Sequence, residues 1–358
     1  MTFPCASIDA DALRDSLAVV RSLAPRSRVM AVVKANAYGH GLIPTARALA
    51  GADAFGVARL SEGVVLREAG ITAPIVVLGG VSHPDELGAA ARMGFELVVH
   101  SPEQIALLDA APAHRFPVWL KLDTGMNRLG FRPEEYPAAL QRLETHRAVG
   151  QIRLMTHLAN AELPADPLTV HQMEAFQAAV PRQGLELCIA NSAAVIGCPA
   201  ARVDWVRPGG MLYGLSPIPG VEAAALGLRP AMTLTTRLVA VRRVAAGETV
   251  GYGATWRAAR ESRIGIAAIG YGDGYPRHMR NGAPVLVGGC EAPLVGRVSM
   301  DMIAVDVTDL DATRVGDEVT LWGAGLPAER VAACADTIAY ELVCGVSQRV
   351  TLRWRNAA

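Results

Sequence analysis

Over roughly the first 225 residues one pattern repeats: a short apolar run, a Gly, Pro or polar interruption, then a helix-length stretch with apolar residues at three-to-four spacing. This alternation leaves few folds open. Apolar runs too short for helices, with helices between them, are strands buried on both faces, the signature of parallel βα units. The runs lie at 29–33, 54–57, 75–78, 97–99, 118–122, 152–156, 187–190 and 205–206. Eight is the number that closes a (β/α)8 barrel. Helices are expected at 43–50, 61–69, 84–93, 102–110 and 167–179, several opened by Ser or Pro as helix starts should be. After the eighth run, residues 214–230 are rich in Gly and Pro and mark no clear helix.

From about Met232 the texture changes to β-branched runs broken by Gly turns, at 233–244, 263–269, 284–287, 292–298, 303–307, 318–321 and 349–354. These predict a mainly β C-terminal domain at 231–358 behind a barrel at 1–230. Residues 1–8 belong either to the barrel or to the sheet of the second domain. No low-complexity linker separates the two, so close packing is expected.

Hydrophobic residues make up 51% and charged residues 19% of the chain, the balance of a folded protein, and with only 5% aromatics the core is aliphatic. Lys plus Arg and Asp plus Glu both total 34. The chain therefore lacks the net positive field that concentrates nucleic acid or anionic membranes, and a small molecule is the expected partner. Asp9, Asp11, Arg14 and Asp15 interrupt the start, which does not read as a secretory signal, and no apolar run approaches the ~20 residues of a membrane span. The six cysteines form no CxxC pair and the eight histidines no HxxxH or HExxH spacing. Reduced thiols, a cytoplasmic location and no metal are expected.

Polar residues interrupt the barrel pattern at the C-terminal ends of the proposed strands, where barrel enzymes build their sites. Lys34 follows the first run, Lys121 and Arg128 the fifth, His157 the sixth, Asn191 and Ser192 the seventh, and Arg207, Gly209 and Gly210 the eighth. A lysine directed into a partly dry pocket has a lowered pKa and becomes a nucleophile toward aldehydes. The turn Arg207-Pro208-Gly209-Gly210 can offer unblocked N–H groups to an anion, and Ser192 adds a hydroxyl at a helix start. Taken singly, a strand-end lysine and a Gly-Gly turn are ordinary. A nucleophilic lysine and a phosphate site together suggest a phosphorylated aldehyde cofactor.

The stretch AVVKANAYGHG at 31–41 closely resembles the signature of the alanine racemase family, the fold-type III pyridoxal phosphate enzymes. KLDTGMNRLGF (121–131), MTHLA (155–159), NSAA (191–194), VRPGGMLYG (206–214), VGYGATW (250–256), IGYGDGYPR (269–277), GRVSMDM (296–302) and YELVC (340–344) resemble the family in the same order. The resemblance implies pyridoxal 5′-phosphate bonded to Lys34, and two catalytic acid/bases, Lys34 and Tyr252, the latter contributed by the other subunit of a homodimer. It implies His157 and Arg207 as the relay that makes Tyr252 a base. Arg207 would also face the pyridine nitrogen. Tyr38, Ser192, Tyr340, Gly209 and Gly210 would hold the phosphate, and Arg128 the 3-oxygen and the substrate carboxylate. From the partner, Met300 would approach that carboxylate and Tyr271 would stand at the entrance. Lys121 matches a lysine that is carbamylated in many members.

The activity implied is interconversion of L- and D-alanine, serving peptidoglycan precursors or D-alanine catabolism, with a broad-specificity racemase for serine or basic amino acids as the alternative. A decarboxylase of this fold is opposed by Tyr252 and Arg207. A cofactor carrier is opposed by residues 232–358, and a sugar-phosphate-binding barrel would leave Lys34 and Tyr252 incidental. Two residues depart from the family pattern: Gly210 stands where a branched aliphatic residue is usual, which predicts a looser loop, and Ser299 where many members have cysteine.

Overall fold

The structure, a computed structural model, describes residues 3–111, 114–180 and 184–356. Strand β1 (Cys5–Asp9) opens the chain and leads into the helix Ala10–Leu23, which starts where the Asp9 carboxylate accepts the Asp11 and Ala12 N–H groups. The eight apolar runs then appear as β2 (Arg28–Val32), β3 (Ala54–Val57), β4 (Ile75–Val77), β5 (Phe95–Val99), β6 (Phe116–Lys121), β7 (Val149–Met155), β8 (Glu186–Asn191) and β9 (Trp205–Arg207). They form a closed parallel barrel, β9 pairing back onto β2 through Arg28 and Trp205.

The barrel interior is filled, not hollow. Met30, Ala54, Val76, Val98, Trp119, Met155, Cys188 and Trp205 form an inner cluster separate from the outer core. Near the N-terminal ends of β5 and β8 the buried Arg153 donates to Glu96 (2.9 Å) and Glu186 (2.7 Å) and lies 5.0 Å from the Trp119 ring centre. Both tryptophans donate to the same carboxylates, Trp119 to Glu96 and Trp205 to Glu186. Every member of this floor has a partner, the condition under which buried charge is tolerated.

The outer helices include Leu42–Ala48, Leu60–Glu68, Pro84–Met93, Pro102–Leu107 and Pro167–Ala179, at the expected places. Ala10–Leu23 and Tyr136–Glu144 were not marked in the sequence. Small residues explain the first: Ala10, Ala12 and Ser16 share its buried face with Leu13, Leu17 and Val20, which blurs the apolar period. After β9 the chain forms only short 3-10 turns, Gly210–Tyr213 and Ala223–Leu226.

The C-terminal part contains β10 (Met232–Val244), β11 (Thr249–Val250), β12 (Trp256–Arg257), β13 (Ser262–Ala267), β14 (Pro284–Val287), β15 (Cys290–Val295), β16 (Ile303–Asp306), β17 (Glu318–Trp322) and β18 (Thr351–Arg355). Its main sheet runs β13-β16-β15-β14-β17-β10-β1-β18, with β10 also pairing with β13. β1 thus lies in this sheet, antiparallel to β10 and parallel to β18. Strands β11 and β12 form a separate hairpin whose connection carries Tyr252. Two helices, Ala328–Ala333 and Ala339–Gly345, interrupt the β texture and were not expected. The second brings Tyr340 to the barrel mouth. It sits so close that a Cβ on Gly39 would fall 2.1 Å from the Val343 carbonyl. No helix among the described residues is long and apolar enough to cross a membrane.

Candidate active site

The side chains that follow the strands face one cavity of about 470 Å³ at the C-terminal mouth of the barrel. Lys34, Lys121, Arg128 and Arg207 all reach it, so the cavity is strongly cationic. Lys34 keeps solvent contact along it, yet the surrounding protein and then the Arg128 guanidinium lower its pKa, moving the amine toward the neutral form a nucleophile needs. Lys121 is pushed down to about 8, first by burial, then by Arg207 and Arg128. Asp123 opposes this only in part. Its carboxylate accepts the N–H groups of Gly125, Asn127 and Arg128 at 2.9, 3.1 and 3.1 Å, which shapes the loop presenting Arg128.

Arg207 is buried without a carboxylate partner among the described residues. Its guanidinium is held by dipoles: Nη1 donates to the carbonyl (3.1 Å) and Sγ (2.9 Å) of Cys188, Nη2 to the carbonyls of Thr156 (2.7 Å) and Ile189 (3.3 Å). Nη2 also lies 3.3 Å from His157 Nδ1. A guanidinium only donates, so Nδ1 accepts and the imidazole proton sits on Nε2. Burial, followed by Arg207, Lys121, Arg128 and Lys34, holds His157 down to about 2. The buried Gln172 fixes the loop beneath, donating to the His157 carbonyl (3.1 Å) and accepting the Ala159 N–H (2.8 Å).

A stability prediction follows from His157 and the wholly buried His40, which burial lowers to about 4. Both are neutral in the fold, whereas in the unfolded chain both titrate at their ordinary 6.5. Below that pH the unfolded state binds more protons than the native one, so stability is full above about 6.5 and declines as pH falls toward 4. The loss expected is up to about 1.4 kcal/mol per pH unit for each ring. Urea midpoints at pH 7.5, 6 and 5 check this, and a midpoint that held or rose on acidification would mean that the rings are charged in the native state.

On the opposite wall Tyr38 and Tyr340 converge on the turn Gly209-Gly210. A Cβ added at Gly209 would meet the Tyr38 Oη at 2.5 Å, and one at Gly210 the Tyr340 ring at 2.1 Å. Ser192 Oγ accepts the Gly209 N–H at 2.8 Å, while the Gly210 N–H makes no hydrogen bond among the described residues. Burial raises both phenols above their ordinary pKa, so both remain O–H donors. Hydroxyls, a free N–H and nearby cations with little acid form a seat for a phosphate.

Comparison with known proteins decides what such a cavity belongs to. Residues 8–217 match the family described as "Alanine racemase, N-terminal domain" and residues 231–354 "Alanine racemase, C-terminal domain". The chain belongs to the alanine racemase family. It is 51% identical to the alanine racemase of Nitrosococcus oceani over 98% of this chain and 99% of that one, and 50% identical to that of Chromohalobacter salexigens, with 98% of each chain covered. Among solved structures it is similar to the biosynthetic alanine racemase of Pseudomonas aeruginosa, with a TM-score of 0.97, 46% identity and coverage of 99% of this chain and 100% of that one. Its enzymatic activity is alanine racemisation, and the broad-specificity alternative is not favoured.

Of the site residues expected for an alanine racemase, Lys34, Tyr38, Lys121, Arg128, His157, Ser192, Arg207, Gly209, Gly210 and Tyr340 line the one cavity. Tyr252, Tyr271 and Met300 do not. They lie in the C-terminal part, 70%, 39% and 52% exposed. The loosening expected at Gly210 is not found: the residue is buried and the Tyr340 ring fills the space a side chain would take. Glu162, Gly79, Leu129 and Pro217 also line the cavity, and the sequence reading did not name them. Glu162 is its acid and stands only five residues beyond His157, but an acidic loop residue carries no pattern that separates it from an ordinary solvated one. Gln172, buried on the helix Pro167–Ala179, belongs to no motif and gave no signal either.

Proposed function

We propose that this racemase acts through pyridoxal 5′-phosphate seated in the cavity at the barrel mouth, with a second acid/base supplied by another copy of the chain. The residues fit the cofactor. The Tyr38–Gly209–Gly210–Tyr340 cradle with Ser192 would hold its phosphate, Lys34 Nζ its aldehyde carbon, Arg128 its 3-oxygen and Arg207 its pyridine nitrogen. When bound, the cofactor supplies an electron sink that acidifies the α-hydrogen of alanine. Arg207 cannot readily give up a proton, so beside the ring nitrogen it would leave that nitrogen unprotonated and restrain the sink.

Racemisation needs a proton removed from one face of Cα and delivered to the other, hence two bases on opposite sides. Lys34 Nζ is one. The cavity's own tyrosines, Tyr38 and Tyr340, sit in the phosphate cradle with raised pKa values and are unsuited to be the other. The observation that carries the reading is therefore Tyr252, an aromatic acid/base left 70% exposed on a hairpin of the second domain. Its loop adjoins others that also expose large apolar side chains. The Cβ position of Gly251 is 3.4 Å from Arg297 N, and beyond Arg297 the segment at Ser299 and Met300 accepts hydrogen bonds from Tyr271 N–H (3.0 Å) and Gly272 N–H (2.9 Å). Tyr252, Tyr271, Met300 and Met302 on these loops suit an interface rather than a solvated surface.

In the resulting homodimer, Tyr252 of the partner subunit takes the α-proton of L-alanine and Lys34 Nζ protonates the other face; D-alanine reverses the roles. Arg128 binds the substrate carboxylate with Met300 N–H of the partner subunit, and the partner's Tyr271 guards the entrance. His157 and Arg207, 3.3 Å apart, are the relay toward Tyr252. Lys121, at about 8, keeps a neutral amine fraction that can add carbon dioxide. The carbamate would turn a fourth cation into a carboxylate partner for Arg128. The six cysteines are free, which accords with the reducing cytoplasm.

Incubating the cofactor-loaded enzyme with L-alanine in deuterium oxide tests this reading. D-alanine carrying deuterium at Cα is expected. Exchange with full retention of configuration would remove the second base.

A further inference from the structure

The chain directly after Lys34 turns with the wrong hand. Ala35, Asn36, Ala37 and Tyr38 have φ of 55, 53, 54 and 52°, and the turn is closed by Ala37 N–H on the Val33 carbonyl (2.9 Å) and Gly39 N–H on the Ala35 carbonyl (3.0 Å). In this hand Cβ crowds the following carbonyl, so four successive residues other than glycine persist only where the surroundings over-determine them. Two supports come from outside: Glu62 Oε1 accepts the Ala35 N–H at 2.7 Å, and Gly39 backs onto the Val343 carbonyl.

The third comes from inside. His40 is wholly buried, and its Nδ1 lies 2.8 Å from the Tyr38 carbonyl and 3.1 Å from that of Ala37. Both partners are acceptors, so Nδ1 carries the proton and holds two carbonyls of the strained turn. Its Nε2 is buried without a partner among the described residues. The ring centre lies 4.7 Å from that of Tyr213, which stacks on Tyr38 at 4.7 Å and donates to the Val32 carbonyl at 3.0 Å. The left-handed turn thus carries Lys34 at its start and Tyr38 at its end, and Tyr38 Oη sits over Gly209.

We propose that His40 is a positioning residue for the cofactor: its Nδ1–H holds the left-handed turn that brings Lys34 Nζ and Tyr38 Oη to the cavity together, and thereby sets affinity for the phosphate. The inference rests on the reading of the Tyr38–Gly209–Gly210 cradle as the phosphate seat. It assigns control of that seat to a residue that touches no ligand.

The test uses the position of the donor. An asparagine amide nitrogen replaces Nδ1, whereas a glutamine amide nitrogen falls near Nε2. Affinities of the full-length protein for pyridoxal 5′-phosphate and for unphosphorylated pyridoxal are measured in His40→Asn, His40→Gln and Tyr38→Phe, alongside thermal melts. His40→Asn is expected within about 3-fold of the parent and His40→Gln to lose about 30-fold in affinity for the phosphorylated form, and only a few-fold for pyridoxal, which meets the Lys34 end of the turn but not the Tyr38 end. Equal affinities in the two His40 variants, or losses that track the melting temperature and are the same for pyridoxal, would overturn the proposal. A Tyr38→Phe variant with parental phosphate affinity would instead overturn the cradle itself, a different failure with its own signature.

Discussion

Replacing Lys34 by alanine is expected to lower the rate of alanine racemisation by at least about four orders of magnitude, because the variant lacks both the covalent anchor and the acid/base proposed for this residue. The acid/base role alone accounts for about 10²- to 10⁴-fold. The Tyr38–Gly209–Gly210–Tyr340 cradle, Arg128 and Arg207 remain in Lys34→Ala, so the variant still binds pyridoxal 5′-phosphate, more weakly and without a covalent link to the chain. Steady-state kinetics in both directions, with borohydride reduction to test for the covalent link, check this. Activity within tenfold of the parent, or a borohydride-fixed cofactor in the variant, would place the nucleophile elsewhere. Lys121, whose pKa of about 8 also leaves a neutral fraction, would then be the first residue to examine.

Tyr252→Phe is expected to lower racemisation by about 10³-fold, and to do so unevenly. With Lys34 intact, α-hydrogen exchange of D-alanine persists with retained configuration while exchange of L-alanine is lost. A merely structural role for the tyrosine would depress both. Because Tyr252 is 70% exposed on its own chain, its site of action is assigned to the partner subunit, and that has a consequence for mixtures. When Lys34→Ala and Tyr252→Phe chains are refolded together, half the dimers are mixed, and each of these has one site with both native residues. Two nearly inactive preparations should therefore recover about a quarter of parental activity. No recovery would mean that each chain completes its own site, and the exposed tyrosine would lose its role.

Much of this was legible in the residues. The eight barrel strands lie where short apolar runs were bounded by Gly, Pro and polar residues, since strands buried on both faces admit little else. Ten of the expected site residues share one cavity because strand ends of a barrel converge whatever their separation in sequence. Less legible were features set by packing at a distance. The helix Ala339–Gly345 lies within β texture, and it is docking against Gly39 that places Tyr340 at the cradle. Gly210 is a second case: a glycine read alone suggests a loose loop, but here Tyr340, 130 residues on, occupies the place of its missing side chain. Gln172 and Glu162 carry no motif, and their places depend on how the loop after β7 folds back.

By itself the sequence determined the barrel, the β texture that follows it, the family and most of the residues that meet in the cavity, because periodicity and short motifs are local properties that burial and turn geometry impose residue by residue. Tertiary structure alone decided the electrostatic state of those residues: the lowered Lys34, the neutral His157 beneath four cations, and Arg207 held by carbonyls and a thiol in place of a carboxylate. It also decided the left-handed turn pinned by His40 and the exposure of Tyr252 on a hairpin outside the cavity. The physical reason is common to all of these. Desolvation, strain and exposure are sums over neighbours brought together by folding, and no stretch of the chain contains its own neighbours.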